Sequence, residues 1–421
     1  MTSTTAALLS YTYESPKDFR VYSSGRGVYL YTRAGQRVLD GLSGSMNANL
    51  GHGNAAVAAA MHTQALGLTA VPSVAGDVSD DCIALAEKLR RFLQLPDVIC
   101  LFASSGSEAT EAALAIVWKY WSEIGRPGKT KVLSLEGSYH GCTIGALALT
   151  GRADEHADVP PATNFRLALP AWDPYDASRV STALKRTLTR VGAETVAAIF
   201  LEPVMGLAGM VPAPRADLRK VVSICRANNI LVVLDEALTG LGRAGHSTAA
   251  ESYGVDHDLL LVSKGLGCGF VPISATCIAS RIASVLRSSS PMLRHGHTAS
   301  GNPMAARVAS TVLDELAAHD AMSNAGRMEG VFKERVTAGI TGLRGPYSLR
   351  STGLCLAVET ADPAHAQQVR HIAFDLGLRI RAIDRNIIAC PPLVITEQEM
   401  TEMAALLSRA LAIAEQSENP R

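Results

Sequence analysis

Chemically versatile side chains stand at the ends of apolar, strand-like runs. "LLLVSKG" (259–265) carries Lys264, "ILVVLDEA" (230–237) carries Asp235 and Glu236, and "VAAIFLEPV" (196–204) carries Glu202. "KVLSLEG" (131–137) runs on to Tyr139 and His140. A lysine is costly to bury unless it has a partner or a reaction to perform. Its neutral amine is a nucleophile toward carbonyl groups. A salt-bridged Lys264–Asp235 pair, or Asp235 as a metal ligand, would account for either residue taken alone.

A third feature joins them. "FASSGSEATEAAL" (102–114) sets Ser105, Gly106 and Ser107 directly before a helical pattern. Free N–H groups and the helix dipole favour an anion there, typically a phosphate. An ordinary serine cap with Glu108 or Glu111 close by is the competing reading. No G-x-x-x-x-G-K-[ST] is present, so this is no nucleotide P-loop. An amine, a carboxylate and a phosphate cradle together point to pyridoxal 5'-phosphate. The lysine forms a Schiff base with its aldehyde, and the aspartate keeps its pyridine nitrogen protonated. An aromatic or apolar side chain must cover each ring face.

The elements that position these groups follow from periodicity. The four runs above, with "ISATCIAS" (273–280), are continuous apolar strands. They alternate with amphipathic helices such as 108–121 and 217–229. That pattern predicts a mainly parallel sheet covered on both faces, with ligands bound beyond the carboxyl ends of the strands. "GRGVYLYTRAGQRVLDG" reads as a small antiparallel hairpin with turns at Gly25–Gly27 and Ala34–Gly35. The expected division is 1–60 as an N-terminal segment sharing a small domain, 61–325 as a large domain, and 326–421 as the C-terminal small domain.

Composition excludes other classes. Hydrophobic residues make up 48% of 421, and basic and acidic residues balance at 39 each. Nothing pulls the chain globally toward nucleic acid or an anionic membrane. Cys82, Cys100, Cys142, Cys225, Cys268, Cys277, Cys355 and Cys390 include no C-x-x-C pair, which favours reduced thiols over a disulfide or metal framework. The N-terminus shows no leader pattern, and no apolar run reaches membrane-spanning length. A cytoplasmic protein is expected.

Eight ordered motifs then carry a resemblance: "DGLSGSMNANLGHG", "SSGSEATEAAL", "SYHGCTIGAL", "IFLEPVMGLAGM", "LDEALTGLGRAG", "LLLVSKGLGCGF", "HGHTASGNPMAA" and "CPPLVI". From about residue 20 to 412 the chain resembles the class III, or ω-, aminotransferases. The resemblance implies the aspartate-aminotransferase-like α/β fold (fold type I) and pyridoxal phosphate. It implies Lys264 as Schiff-base lysine and proton shuttle, and Asp235 as partner of the pyridine nitrogen. It implies Ser105, Gly106 and Ser107 at the phosphate, Tyr139 stacked on the ring with His140 beside it, and Glu202 as the active-site glutamate. It implies a homodimer in which Thr298 reaches the phosphate of the neighbouring subunit. No metal is implied.

Two departures bear on substrate. The family usually reads D-E-V-Q-T-G, whereas this chain has Ala237 at the ring face and Leu238 in place of the glutamine. Relatives acting on glutamate carry an arginine where Ile388 stands. Arg381, ten residues before Pro391, instead matches the carboxylate-binding arginine of the biotin-pathway aminotransferase, diaminopelargonate synthase. That enzyme draws its amino group from S-adenosylmethionine, which becomes an expected donor here. Met46 stands where it has paired tryptophans, so the second substrate should differ. A racemase or epimerase, a decarboxylase, or a replacement or carbon–carbon bond-forming enzyme on the same cofactor is the alternative expectation.

Overall fold

The computed structural model describes residues 20–71, 76–159, 163–289 and 293–417. The N-terminal stretch 1–19, where no leader is expected, lies outside them. The described chain opens with β1 (Tyr22–Arg26), β2 (Tyr29–Thr32) and β3 (Arg37–Asp40), paired antiparallel. Gly27 and Gly35 supply the positive φ their turns need, 55° and 87°.

The central sheet is built from β4 (Val98–Ala103), β5 (Lys131–Leu135), β6 (Arg166–Leu169) and β7 (Val196–Leu201). After a small hairpin of β8 (Val204–Met205) and β9 (Val211–Pro212) come β10 (Leu231–Asp235), β11 (Leu259–Val262) and β12 (Ser274–Ala279). The 7-stranded order is β4-β12-β11-β10-β7-β5-β6. Neighbours from β11 to β6 pair parallel, while β12 runs antiparallel to both β11 and β4. The expected parallel sheet therefore carries one reversed strand.

Alternation explains why its strands are apolar throughout. Leu231, Val233, Leu259 and Leu261 pack on one face with the helix Gly106–Glu123. Val232, Leu234, Leu260 and Val262 enter the opposite core with the helices Arg179–Val191 and Arg215–Ala227. Successive residues point to opposite faces, and both faces are covered.

The C-terminal part contributes β13 (Ser348–Thr352), β14 (Cys355–Glu359), β15 (Leu378–Arg379), β16 (Arg381–Ile383) and β17 (Asn386–Ala389). Four of these form the sheet β13-β14-β17-β16. The fifth, β15, joins β3 in parallel, setting Arg379 opposite Asp40. Arg243, fully buried, ties these parts together. Its guanidinium donates to Asn49 Oδ1 (2.7 Å), Ser43 Oγ (3.1 Å) and the carbonyls of Leu354 and Pro391. A buried guanidinium is tolerable only when acceptors surround it. Among the described residues, no helix is long and apolar enough to cross a membrane.

Candidate active site

Asp235 closes β10, and Lys264 follows the end of β11 in a short 3₁₀ turn, Lys264–Leu266. The two strands are paired neighbours, with Asp235 opposite Leu261. The glycines after the lysine permit close packing. A Cβ on Gly265 would lie 2.3 Å from Asn49 Nδ2, and one on Gly267 would lie 2.0 Å from the Val271 carbonyl. Both lysine and aspartate line a cavity of about 600 Å³, together with Tyr139, Glu202, Ala237, Leu238, Met46 and Arg381. The strand-end groups singled out from the sequence thus meet in one place. Glu236 is the exception. It is buried on the backbone amides of Ala249 and Ala250 and the hydroxyl of Thr239.

Asp235 is held from two sides. Its Oδ2 lies 2.8 Å from His140 Nδ1, and its Oδ1 accepts from the Ala237 amide at 3.1 Å. The His140 side chain is fully buried, with its ring edge-on to Phe200 at 5.9 Å. Its Nε2 is buried without a hydrogen-bond partner among the described residues. Glu202 accepts from the amides of Tyr139 (2.8 Å) and Gly206 (3.3 Å). Burial pushes its carboxyl from the ordinary 4.5 up to about 7; nearby His140 opposes the rise and Asp235 adds to it.

Ser105 caps the helix Gly106–Glu123, its hydroxyl accepting from the Glu108 amide at 3.2 Å. Such a cap contributes about 1 kcal/mol. The Ser274 hydroxyl holds the Ser105 carbonyl (2.7 Å) and fixes the turn to β12. A Cβ on Gly106 would touch Ser263 and Ala237 at 3.7 and 3.9 Å, so this helix start adjoins the residue before Lys264. Ser107 Oγ accepts from the Cys142 amide at 3.1 Å. Thr298 is exposed and does not line the cavity of its own chain.

The donor set fits pyridoxal phosphate. It offers a strand-end amine, a carboxylate fixed by a buried imidazole, and a capped helix start beside them. The class-III aminotransferase model matches residues 11–411. The chain belongs to the class-III aminotransferases. It is a pyridoxal phosphate-dependent enzyme. It is 29% identical to gamma-aminobutyrate transaminase 1 of rice (Oryza sativa subsp. indica), over 94% of this chain and 82% of that one. It is 28% identical to the diaminobutyrate–2-oxoglutarate transaminase of Halomonas elongata, over 93% and 90%. A transaminase from the marine bacterium Virgibacillus superposes with a TM-score of 0.94 at 26% identity, covering 97% of each chain. A pyridoxal phosphate-bound amine transaminase from an uncultivated Pseudomonas species gives 0.91 at 29% identity, covering 98% and 99%.

The cavity of this aminotransferase is also lined by residues that the sequence did not single out, among them Arg379, Leu42 and Leu207. Arg379 Nη1 donates to Asp40 Oδ1 (2.8 Å) and the Gly44 carbonyl (2.7 Å). Its alternation with Arg381 in "RIR" was the available signal. Arg381 itself is exposed. Ile388 is fully buried behind the cavity wall.

Proposed function

We propose that this enzyme is an aminotransferase that takes its amino group from an amino acid, with Lys264 as the reacting lysine. The observation that carries the reading is the meeting of Lys264 and Asp235 at adjacent strand ends in one cavity. When bound, pyridoxal phosphate supplies an aldehyde that condenses with amines and a ring that withdraws electrons from the neighbouring carbon. Lys264 Nζ holds the cofactor at rest. With its amine free, Lys264 would take up and return the proton of the substrate's amino-bearing carbon. Asp235 keeps a proton on the ring nitrogen, and His140 holds that carboxylate in place. Tyr139 and Ala237, which line the cavity, would cover the ring faces, and Glu202 would stand beside the ring. The Ser105–Ser107 turn receives the phosphate. Arg381 binds the substrate α-carboxylate through paired N–H contacts.

In the homodimer that the family resemblance implies, Thr298, exposed and outside its own cavity, would serve a neighbouring copy. The S-adenosylmethionine expectation rests on the Arg381 spacing and the motif likeness to diaminopelargonate synthase, and it enters the donor screen on that footing. Ala237 and Leu238, both on the cavity wall, keep a non-transaminating reaction as the second reading. Half-reactions separate the two. Given an amino donor alone, an aminotransferase converts its cofactor to pyridoxamine phosphate and keeps it so, measured by chromatography of the released cofactor. Return of the original cofactor with a changed amino acid would favour a racemase or replacement enzyme.

A further inference from the structure

The cavity is lined by two unlike sets of side chains. Arg20, Arg370, Arg379 and Arg381 make up one, and Leu42, Met46, Leu207 and Leu238 the other. Leu42, Met46 and Leu238 belong to a buried apolar cluster distinct from the two cores of the central sheet. Ile383, Ile388, Cys355 and Cys390 back it, and Leu207 packs on its edge. The wall is closely filled from behind. Leu238 Cδ2 lies 2.5 Å from where a Cβ on Gly206 would sit, so the side chain and the loop backbone interlock.

The loop that presents two of these side chains is conformationally costly. Ser43, Gly44 and Met46 all have positive φ (42°, 68° and 62°). Non-glycine residues persist there only when their surroundings over-determine them. Here they do. Gly44 N donates to Asp40 Oδ2 (2.7 Å), Ser43 Oγ donates to the Cys390 carbonyl (2.7 Å), and Arg379 holds the Gly44 carbonyl. The molecule sustains strain to aim Leu42 and Met46 into the cavity.

We propose that this wall is the side-chain subsite. Its substrates are α-amino acids and 2-oxo acids bearing an uncharged, apolar side chain, whether aliphatic, thioether or aromatic. The inference rests on the reading that Lys264 reacts with an amino acid anchored by its α-carboxylate. A second carboxylate, an ammonium or a sulfonium set against Leu42, Met46, Leu207 and Leu238 finds no partner among those four side chains and loses hydration against them. Apolar groups gain on entering, by roughly tenfold or more per methylene-sized contact. Methionine is therefore a better donor than S-adenosylmethionine, and leucine a better one than glutamate.

Binding of unreactive carboxylates to the pyridoxal phosphate-loaded enzyme tests the subsite without turnover. Calorimetry should show 4-methylpentanoate and 3-phenylpropanoate binding at least about tenfold more tightly than glutarate. Leu207→Glu, at a half-buried position, should remove that advantage and favour 5-(trimethylammonio)pentanoate, whose quaternary nitrogen cannot condense with the aldehyde; Leu207→Gln, which should remove the advantage alone, serves if the charged variant fails to fold. Equal or tighter binding of glutarate to the unsubstituted enzyme, or no binding of any of the three, overturns the proposal. The half-reaction screen separates this from the broader reading. If the analogues bind in the expected order but no donor yields pyridoxamine phosphate, transamination falls and the subsite stands. If glutamate or S-adenosylmethionine reacts faster than leucine and methionine, transamination stands and the subsite falls.

Discussion

His140 Nδ1 lies 2.8 Å from Asp235 Oδ2, and the imidazole has no solvent contact. The pair places a hydrogen-bond donor behind the carboxylate that faces the cavity. Removing a hydrogen bond to a charged group costs about 1.5–3 kcal/mol. His140→Ala should therefore lower kcat roughly ten- to a hundredfold with KM little changed. His140→Asn, which keeps a donor near the Nδ1 position, should recover most of the loss. A KM effect alone, or no rescue, would argue for a purely structural histidine.

Lys264→Ala should abolish covalent cofactor attachment and turnover together. Borohydride reduction followed by peptide mass spectrometry reads this directly; a reduced adduct in the variant would place the attachment elsewhere. Asp235→Asn should keep its fold by circular dichroism yet lose turnover by orders of magnitude, since an amide cannot hold the ring nitrogen protonated. Near-normal rates would remove Asp235 from that role.

Glu202 predicts a pH effect on stability. Burial raises its carboxyl from 4.5 to about 7 in the folded protein. Below about 4.5 both states are protonated and nothing is lost. As pH rises toward about 7, the unfolded chain releases its proton first, so the folded state loses relative stability. The loss is complete above that range and is on the order of 3 kcal/mol. Glu202→Gln cannot titrate. Whatever its constant offset, its melting temperature relative to the parent should climb between pH 5 and 7 and then level. A flat difference would contradict the raised value.

Arg379 and Arg381 should part company on substitution. Arg381→Lys should weaken α-amino acid binding roughly ten- to a hundredfold, because lysine lacks the bidentate fork, while uncarboxylated amines stay nearly unaffected. Arg379→Met should instead lower the melting temperature and impair carboxylated and simple amines alike. It strips a partner from fully buried Asp40, a loss of about 1–3 kcal/mol. Kinetics with matched donors, beside thermal melts, distinguish the two patterns.

The chemistry was legible where it coincided with periodicity. Lys264 and Asp235 end apolar runs, and parallel strands bring such ends together without further information. β6 was less visible, because Arg166–Leu169 is short and half-exposed. The reversal of β12 leaves no trace in composition, since antiparallel and parallel buried strands are equally apolar. The "RIR" alternation hinted at Arg379, but its anchoring role was hidden for another reason. Its anchor, Asp40, lies 339 residues away in sequence and is brought to it only by the pairing of β3 with β15. Leu207 gave no warning because it follows the very short β8, where no period can be read.

The tie between the chain's two ends has a consequence for biosynthesis. The Leu42–Met46 loop is set by Arg379, by the Cys390 carbonyl and by Arg243 acting with Pro391. All of its C-terminal anchors, from Arg379 to Pro391, emerge from the ribosome well after Asp235 and Lys264. The central sheet can pair earlier, with Lys264 and Asp235 already side by side. A nascent chain would thus own its reactive lysine well before the wall that selects what reaches it. That wall can be completed only when the segment from Arg379 to Pro391 is present to dock against the Leu42–Met46 loop.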